Sequence, residues 1–321
     1  MAITGPSSFV PTVTEFLAHW GHTNTFLGSD GPLILGDGTA IAILSGYCDS
    51  LALFSSSVQG KLNDVEIARG YLDLQKAALI GRLGEFNRKV RGFLSHTAYV
   101  TALPEVPPGS SSVATIADSL DDMATLWVKI NAATIPGFTG PLSLLDGYLV
   151  ATFNADLATL KATSTAWQNA LQDVKLERER RNDLQDLVQP ILRDYRAAIE
   201  GTFAPTDPLV ASLPRLTPEP GSTPDAVAAN GTWEVTPSQT KLTWSASDNL
   251  NLSHYSLRFC SGANYSTDDE SVIGNVGPSE TREFLTNSGL TSPGSTASFK
   301  VYVVLTTGNE KGSNTVTITR P

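Results

Sequence analysis

His19 and His22 lie three positions apart, one helical turn, the spacing at which a helix can offer two imidazoles to one metal ion. No third ligand of matching quality lies near them. The pair therefore reads as surface or core histidines, and no metal or other cofactor is expected. Asp121-Asp122 and Asp268-Asp269-Glu270 concentrate carboxylates that could hold calcium weakly. Neither has EF-hand spacing, and both read as solvated turns. Ser55-Ser56-Ser57 falls in a helical stretch with no histidine at a triad-like spacing. Glu177-Arg178-Glu179-Arg180-Arg181 mixes signs and reads as a solvated helix face or an intersubunit contact. The chain has no GxSxG, P-loop, dinucleotide fingerprint, HExxH or CxxC motif. The expectation is a protein that is not an enzyme.

Composition narrows the partners. The 321 residues carry 22 basic and 32 acidic side chains, a net charge of −10. Such a surface repels phosphate backbones and anionic lipid, so nucleic acid is not an expected partner. No unbroken apolar run approaches the roughly 18 residues of a membrane span, so none is expected. The start, MAITGPSSFVPTV, lacks the basic and apolar regions of a secretory signal. The two cysteines, Cys48 and Cys260, are expected to be small buried thiols in different domains rather than a disulfide. Final localisation is left open, with cytoplasmic synthesis and later release compatible with these features.

The elements that would position these residues announce themselves by repetition. Residues 31–38 read GPLILGDG and residues 140–147 read GPLSLLDG. Aligned without gaps from there to Leu94 and Phe203, 16 of 64 columns are identical, among them Gln59/Gln168, Asp64/Asp173 and Arg69/Arg178. Changed columns often keep their character, as in Leu44/Phe153, Phe86/Tyr195 and Val90/Ile199. This predicts an internal duplication, with repeat units at about 9–107 and 112–218.

Each copy carries apolar residues stepping by four and three. One series runs Leu44, Cys48, Leu51 through to Val90; the other runs Phe153, Leu157, Leu160 through to Ile199. That is a heptad stripe, and it predicts one long helix per copy, at 38–95 and 147–203. A hairpin folding near Asn63-Asp64 and Gln172-Asp173 is the competing reading. Asp37 and Asp146 are expected to cap the two helix starts. Pro190, matched by Gly81, is expected to bend the second helix. Amphipathic stretches at 9–28 and 112–134 predict a shorter helix ahead of each long one. Residues 1–203 thus read as an elongated antiparallel bundle. Arg69 and Arg178 interrupt the stripe at matched positions, either reaching water over apolar stems or pairing with acids such as Asp64, Asp73 or Asp173 of the other copy. Arg69, Arg178, Asp64 and Asp173 are therefore candidate register or assembly contacts.

Six prolines between Ala204 and Pro224 predict an extended linker over 204–229, its apolar residues Leu209, Val210, Leu213 and Leu216 packing along the bundle. Beyond Asn230 the period becomes two. KLTWSAS (241–247), HYSLRFC (254–260), ASFKVYVVLT (297–306) and SNTVTITR (313–320) predict strands separated by turn-rich segments. Together they predict an antiparallel β-sandwich over 230–321.

Residues here resemble the fibronectin type III domain. Trp244 resembles its core strand-B tryptophan, Tyr255 and Leu257 its strand C, and Leu290, Pro293, Gly294, Phe299, Val301 and Val303 its corner and strand F. Asn314, Val316 and Ile318 would form the last strand. Phe299 stands where the family usually has tyrosine, and the stretch from Leu290 to Phe299 is longer than the family spacing. No RGD tripeptide is present.

The fold class expected is multidomain, all-α plus all-β. The function expected is structural: a helical rod, coiled-coil-like in its packing, that polymerises or joins a larger assembly such as a filament, with the sandwich for display or contacts. The expected partners are copies of the same chain and other proteins. The alternative is a binding module in which the sandwich loops, near Tyr265 and Trp233, hold a glycan or protein. An enzymatic site using Asp64 and Asp173 is the third reading.

Overall fold

The computed structural model describes residues 2–221, 223–290 and 293–321. Four helices lead: α1 (Pro6–Leu27), α2 (Ile41–Phe93), α3 (Val113–Ala132) and α4 (Val150–Thr202), then the one-turn α5 (Pro208–Ala211). Eight strands follow: β1 (Ala229–Glu234), β2 (Gln239–Trp244), β3 (Leu252–Ser261), β4 (Ser271–Val276), β5 (Glu283–Thr286), β6 (Thr296–Leu305), β7 (Glu310–Gly312) and β8 (Val316–Thr319). The chain divides into two compact units, Met1–Asn63 with Asp173–Pro321, and Asp64–Gln172. This division differs from the boundaries expected at 203 and 230, because each long helix gives one part to each unit.

α2 and α4 each hold 53 residues, and their starts (150 − 41) and ends (202 − 93) are both 109 positions apart. Each is therefore about 80 Å long, and the hairpin alternative at 63–64 and 172–173 does not form. α4 continues through Pro190. Asp37 and Asp146 do not cap these helices, which begin four residues later. Asp37 instead accepts hydrogen bonds from the Thr39 N–H (2.8 Å) and hydroxyl (2.9 Å), a short polar turn. Asp146 itself takes a left-handed conformation, φ 59°, followed by Gly147 at φ 70°.

In the first unit the stripe residues Leu44, Cys48 and Leu51 of α2 meet Phe9, Val13, Phe16 and Trp20 of α1 and Val188, Leu192, Tyr195 and Ile199 of α4. Val210, Leu213 and Leu216 of the proline-rich segment pack against this core, as their apolar character predicts. In the second unit Leu79, Leu83, Phe86 and Val90 of α2 meet Ile116, Leu120, Met123 and Trp127 of α3 and Phe153, Leu157 and Leu160 of α4.

The repeated Gly-Pro-Leu has the same role in both units. The Trp20 indole donates to the Leu33 carbonyl (3.3 Å), and Asn24 Oδ1 accepts from the Leu33 N–H (2.9 Å). The Trp127 indole donates to the Leu142 carbonyl (2.9 Å), and Asn131 Oδ1 accepts from the Leu142 N–H (2.8 Å). A Trp-x-x-x-Asn turn of the short helix thus clamps the chain that leads into each long helix, satisfying backbone groups that burial would otherwise leave unpaired. The following bond also recurs: the Leu35 N–H donates to the Thr39 carbonyl (2.9 Å), and the Leu144 N–H to the Tyr148 carbonyl (2.8 Å).

By length and composition α2 is apolar enough to cross a membrane. Serine and glycine interleave its apolar residues, so a search for an unbroken run does not register it. Its Leu44, Cys48 and Leu51 belong to a protein core.

The C-terminal strands form two sheets, β1-β2-β5 and β4-β3-β6-β7, with β8 also pairing β6, all antiparallel. Leu242 and Trp244 of the first sheet share one core with Tyr255, Leu257, Phe299, Val301 and Val303 of the second. The strands expected from the sequence coincide with β2, β3, β6 and β8.

Candidate functional site

A connected cluster of polar side chains lies in the first unit, around the loop joining β3 to β4. At its centre Arg258 is 2% exposed and Glu270 5%. Strand alternation turns Arg258 to the side of β3 away from Tyr255 and Leu257, toward β6 and β7. There Arg258 Nη1 donates to Glu270 Oε1 (2.7 Å) and Glu310 Oε1 (3.0 Å), and Nη2 to Glu310 Oε2 (2.5 Å). The guanidinium lies over the Tyr302 ring, 4.0 Å from its centroid. Both oxygens of Glu270 are fully used: Oε1 also accepts from the Ser7 hydroxyl (2.6 Å), and Oε2 from Tyr265 (2.5 Å) and Tyr302 (3.0 Å). Thr4 donates to Glu310 (2.9 Å). The start of α1 is thus tied to the strands through the buried Glu270 and the half-buried Glu310, and Ser7 sits in its first turn, where a negative charge is favoured.

The charges move one another. Burial alone would lower the Arg258 guanidinium, but the hydrogen bond and charge of Glu310, then Glu270, outweigh it and hold the group above its ordinary value. Burial and the Glu270 charge raise both Tyr265 and Tyr302. These phenols stay protonated donors.

Two further contacts complete the seam. Gln59 of α2 accepts from the Ser261 N–H (3.1 Å) and hydroxyl (3.1 Å) and donates to the Asp269 carbonyl. Arg178 of α4 grips the Asp269 carboxylate with two donors, Nε at 2.6 Å and Nη2. Arg181 donates to the Asp268 carbonyl (2.7 Å) and is 3% exposed, so burial lowers its guanidinium.

These contacts revise several expectations. Asp268-Asp269-Glu270 is no solvated turn, since Asp269 and Glu270 are 4% and 5% exposed. Arg178 and Arg181 leave the solvated face expected of their charge run, while Arg180 stays there, paired with Glu177 at 2.9 Å. Arg178 pairs with the β3–β4 loop rather than with an acid of the other copy. Arg69 lies 3.8 Å from Asp73 on its own helix. Asp173 lies 3.4 Å from Lys61, both in the first unit, whereas Asp64 belongs to the second. Tyr265, expected near a binding loop, is committed to Glu270. Trp233 is half-buried beneath Arg320, 5.3 Å from its ring centroid. No local pattern marks Glu310 or Tyr302; for Arg258 the available signal was a charged residue inside the apolar HYSLRFC strand.

His19 is buried. Leu209's carbonyl can only accept, so Nε2 carries the proton (2.9 Å) and Nδ1 accepts from the Tyr195 hydroxyl (2.6 Å). Burial lowers His19 and pushes Tyr195 up to about 12. No group of three or more candidate metal ligands occurs among the described residues. Cys48 and Cys260 are free and buried; burial raises both, Cys260 to about 12.

No family model and no curated protein matches the chain. Solved structures match part of it. The pectate lyase PelI from Erwinia chrysanthemi, in complex with tetragalacturonic acid, is similar at 22% identity and TM-score 0.25 over 29% of this chain and 28% of that one. Pectate lyase Pel3 from Pectobacterium carotovorum is similar at 18% identity and TM-score 0.25, over 30% and 27%. An Fn3-like protein from Clostridium thermocellum is similar at 16% identity and TM-score 0.24, over 31% of this chain and 96% of that one. The chain thus spans under a third of the length of the lyases it matches.

Proposed function

We propose that the protein is a non-enzymatic structural component that assembles with protein partners, further copies of itself foremost, through its long helices. One observation carries this reading. On the part of α2 in the second unit, Ile67, Tyr71 and Leu74 occur at i, i+4 and i+7 and are 56%, 62% and 70% exposed. These positions form one helix face, and large apolar side chains in such a row favour burial against another helix. The polar cluster of the first unit supports the same view. Its carboxylates, phenols and guanidinium bond to one another and fasten helices to strands.

In this reading the helical halves descend from one duplicated segment. The equal helices 109 positions apart and the repeated tryptophan–asparagine clamp support that descent. The strands form a fibronectin type III-like β-sandwich for display or contact, as the two sheets over one core suggest. Light scattering over a concentration series tests the assembly: the mass should rise above that of one 34.1 kDa chain, and a mass fixed at one chain would contradict it.

A second reading, recognition of a glycan or protein by the sandwich loops, draws on Val235 and Leu250 at strand connections, 76% and 101% exposed. Under it, Leu250→Asp in the full chain would abolish binding on a glycan or protein array and leave the scattering mass unchanged.

A further inference from the structure

The seam that seats the β3–β4 loop in the first unit has a counterpart in the second. In the first, Gln59 of α2 and Arg178 of α4 hold Asp269 by its carbonyl and carboxylate, close to the start of α1. The residues 109 positions along are Gln168 of α4 and, in the other direction, Arg69 of α2, identical in type. In the second unit these two line a single cavity of about 670 Å³, with Lys76, Asp73, Trp167 and the start of α3 at Ser112.

The cavity gathers cations and hydrogen-bond donors around one acid. Arg69 and Lys76 both continue the α2 stripe; the Arg69 side chain stands at the cavity mouth, 59% exposed. The Lys76 side chain is only 13% exposed, and its amine lies 3.8 Å from Asp73, too far for a hydrogen bond. Arg69 is likewise 3.8 Å from that one acid. Two cations therefore face one carboxylate, leaving a positive surplus. The Trp167 indole N–H is buried with no hydrogen-bond partner. α3, 20 residues long, opens its N-terminal end onto the same space. The first unit has Asn182 where this cavity has Asp73.

We propose that this cavity binds an acidic peptide segment of a different protein, its carboxylate seated on Arg69 as that of Asp269 is seated on Arg178. The chain's own bound loop defines the ligand chemistry: consecutive carboxylates in an extended segment. A second copy does not supply it: its Asp269 and Glu270 are buried at 4% and 5% exposure, and its Asp121-Asp122 lies within α3 rather than in an extended segment. The inference goes beyond the assembly reading, uses different residues, and stands if the chain proves monomeric.

The probe is a fluorescent peptide with the sequence of residues 265–271, YSTDDES, titrated against the full chain by anisotropy. Saturable binding is expected, at least about tenfold weaker in Arg69→Gln/Lys76→Gln, with helicity by circular dichroism unchanged. Asp73→Asn, which restores the asparagine of the occupied seam, should tighten binding by about threefold or more. A control peptide with Asn-Asn-Gln in place of Asp-Asp-Glu should not bind. Absence of saturable binding up to about 5 mM would overturn the proposal. So would binding indifferent to Arg69, Lys76 and Asp73, or competition by free acetate as effective as by unlabelled peptide, which would mark a small-anion site.

Discussion

Arg258→Met is the sharpest test of the polar cluster. Methionine roughly follows the arginine stem, so the change removes the guanidinium with little loss of packing. Glu270 and Glu310, whose side chains are 3% and 15% exposed, then face each other across the site without the cation that held them 2.7 and 2.5 Å away. Breaking one partner out of a buried ion pair costs about 3–5 kcal/mol, because it strands charge away from water. The lost stacking on Tyr302 falls within that figure. For a unit of about 200 residues each kcal/mol lowers Tm by about 2–4 °C, so the first unit should melt about 12 °C earlier. Urea unfolding followed by tryptophan fluorescence reads the same loss as a shifted midpoint. The triple variant Arg258→Met/Glu270→Gln/Glu310→Gln should recover most of it, since no stranded charge remains. A single-variant cost under about 1 kcal/mol, the value of a solvated pair, would refute the reasoning.

Other outcomes follow from the same geometry. Gln59→Ala leaves the Ser261 N–H and Asp269 carbonyl without the partner they have now; urea unfolding should show a loss of about 3 kcal/mol. His19 and His254 are both lowered by burial, so the unfolded chain binds more protons than the folded one just below pH 6.5. Their contribution to stability is complete above that pH and is lost as pH falls, so Tm should drop between pH 7 and 5, with a shallower slope in His19→Asn. Cys48 and Cys260, buried and raised, should react with a thiol reagent at the rate of unfolding, and faster in Arg258→Met, as stopped-flow absorbance would show.

Much of the helical architecture was legible because it is written locally. A stripe whose phase never slips between Leu44 and Val90 leaves a continuous helix as the natural solution, and the 109-residue offset transfers it to α4. The Trp20–Asn24 and Trp127–Asn131 clamps were also legible in principle, as a repeated Trp-x-x-x-Asn ahead of each Gly-Pro-Leu. Strands β2, β3, β6 and β8 followed from alternation, which the short β8 keeps as Val-Thr-Ile-Thr, whereas β5 (Glu-Phe-Leu-Thr) and β7 (Glu-Lys-Gly) hold no such alternation.

The polar cluster was not legible. Asp268-Asp269-Glu270 has the composition of a solvated turn, and only partners some 90 to 260 positions away, Arg178, Gln59 and Ser7, make its burial favourable. Arg178 and Arg69 look alike in the alignment, yet one is capped by the β3–β4 loop and the other lines a cavity. The difference lies in tertiary placement, to which spacing is blind.

Sedimentation velocity on the wild-type chain beside Ile67→Lys/Leu74→Lys tests the central claim most directly. Assembly through the α2 face predicts species heavier than one chain whose share grows with concentration, and a single monomer boundary for the variant with its melting curve unchanged. A wild-type chain sedimenting as a monomer at every concentration, or a variant that assembles as the wild type does, would contradict it.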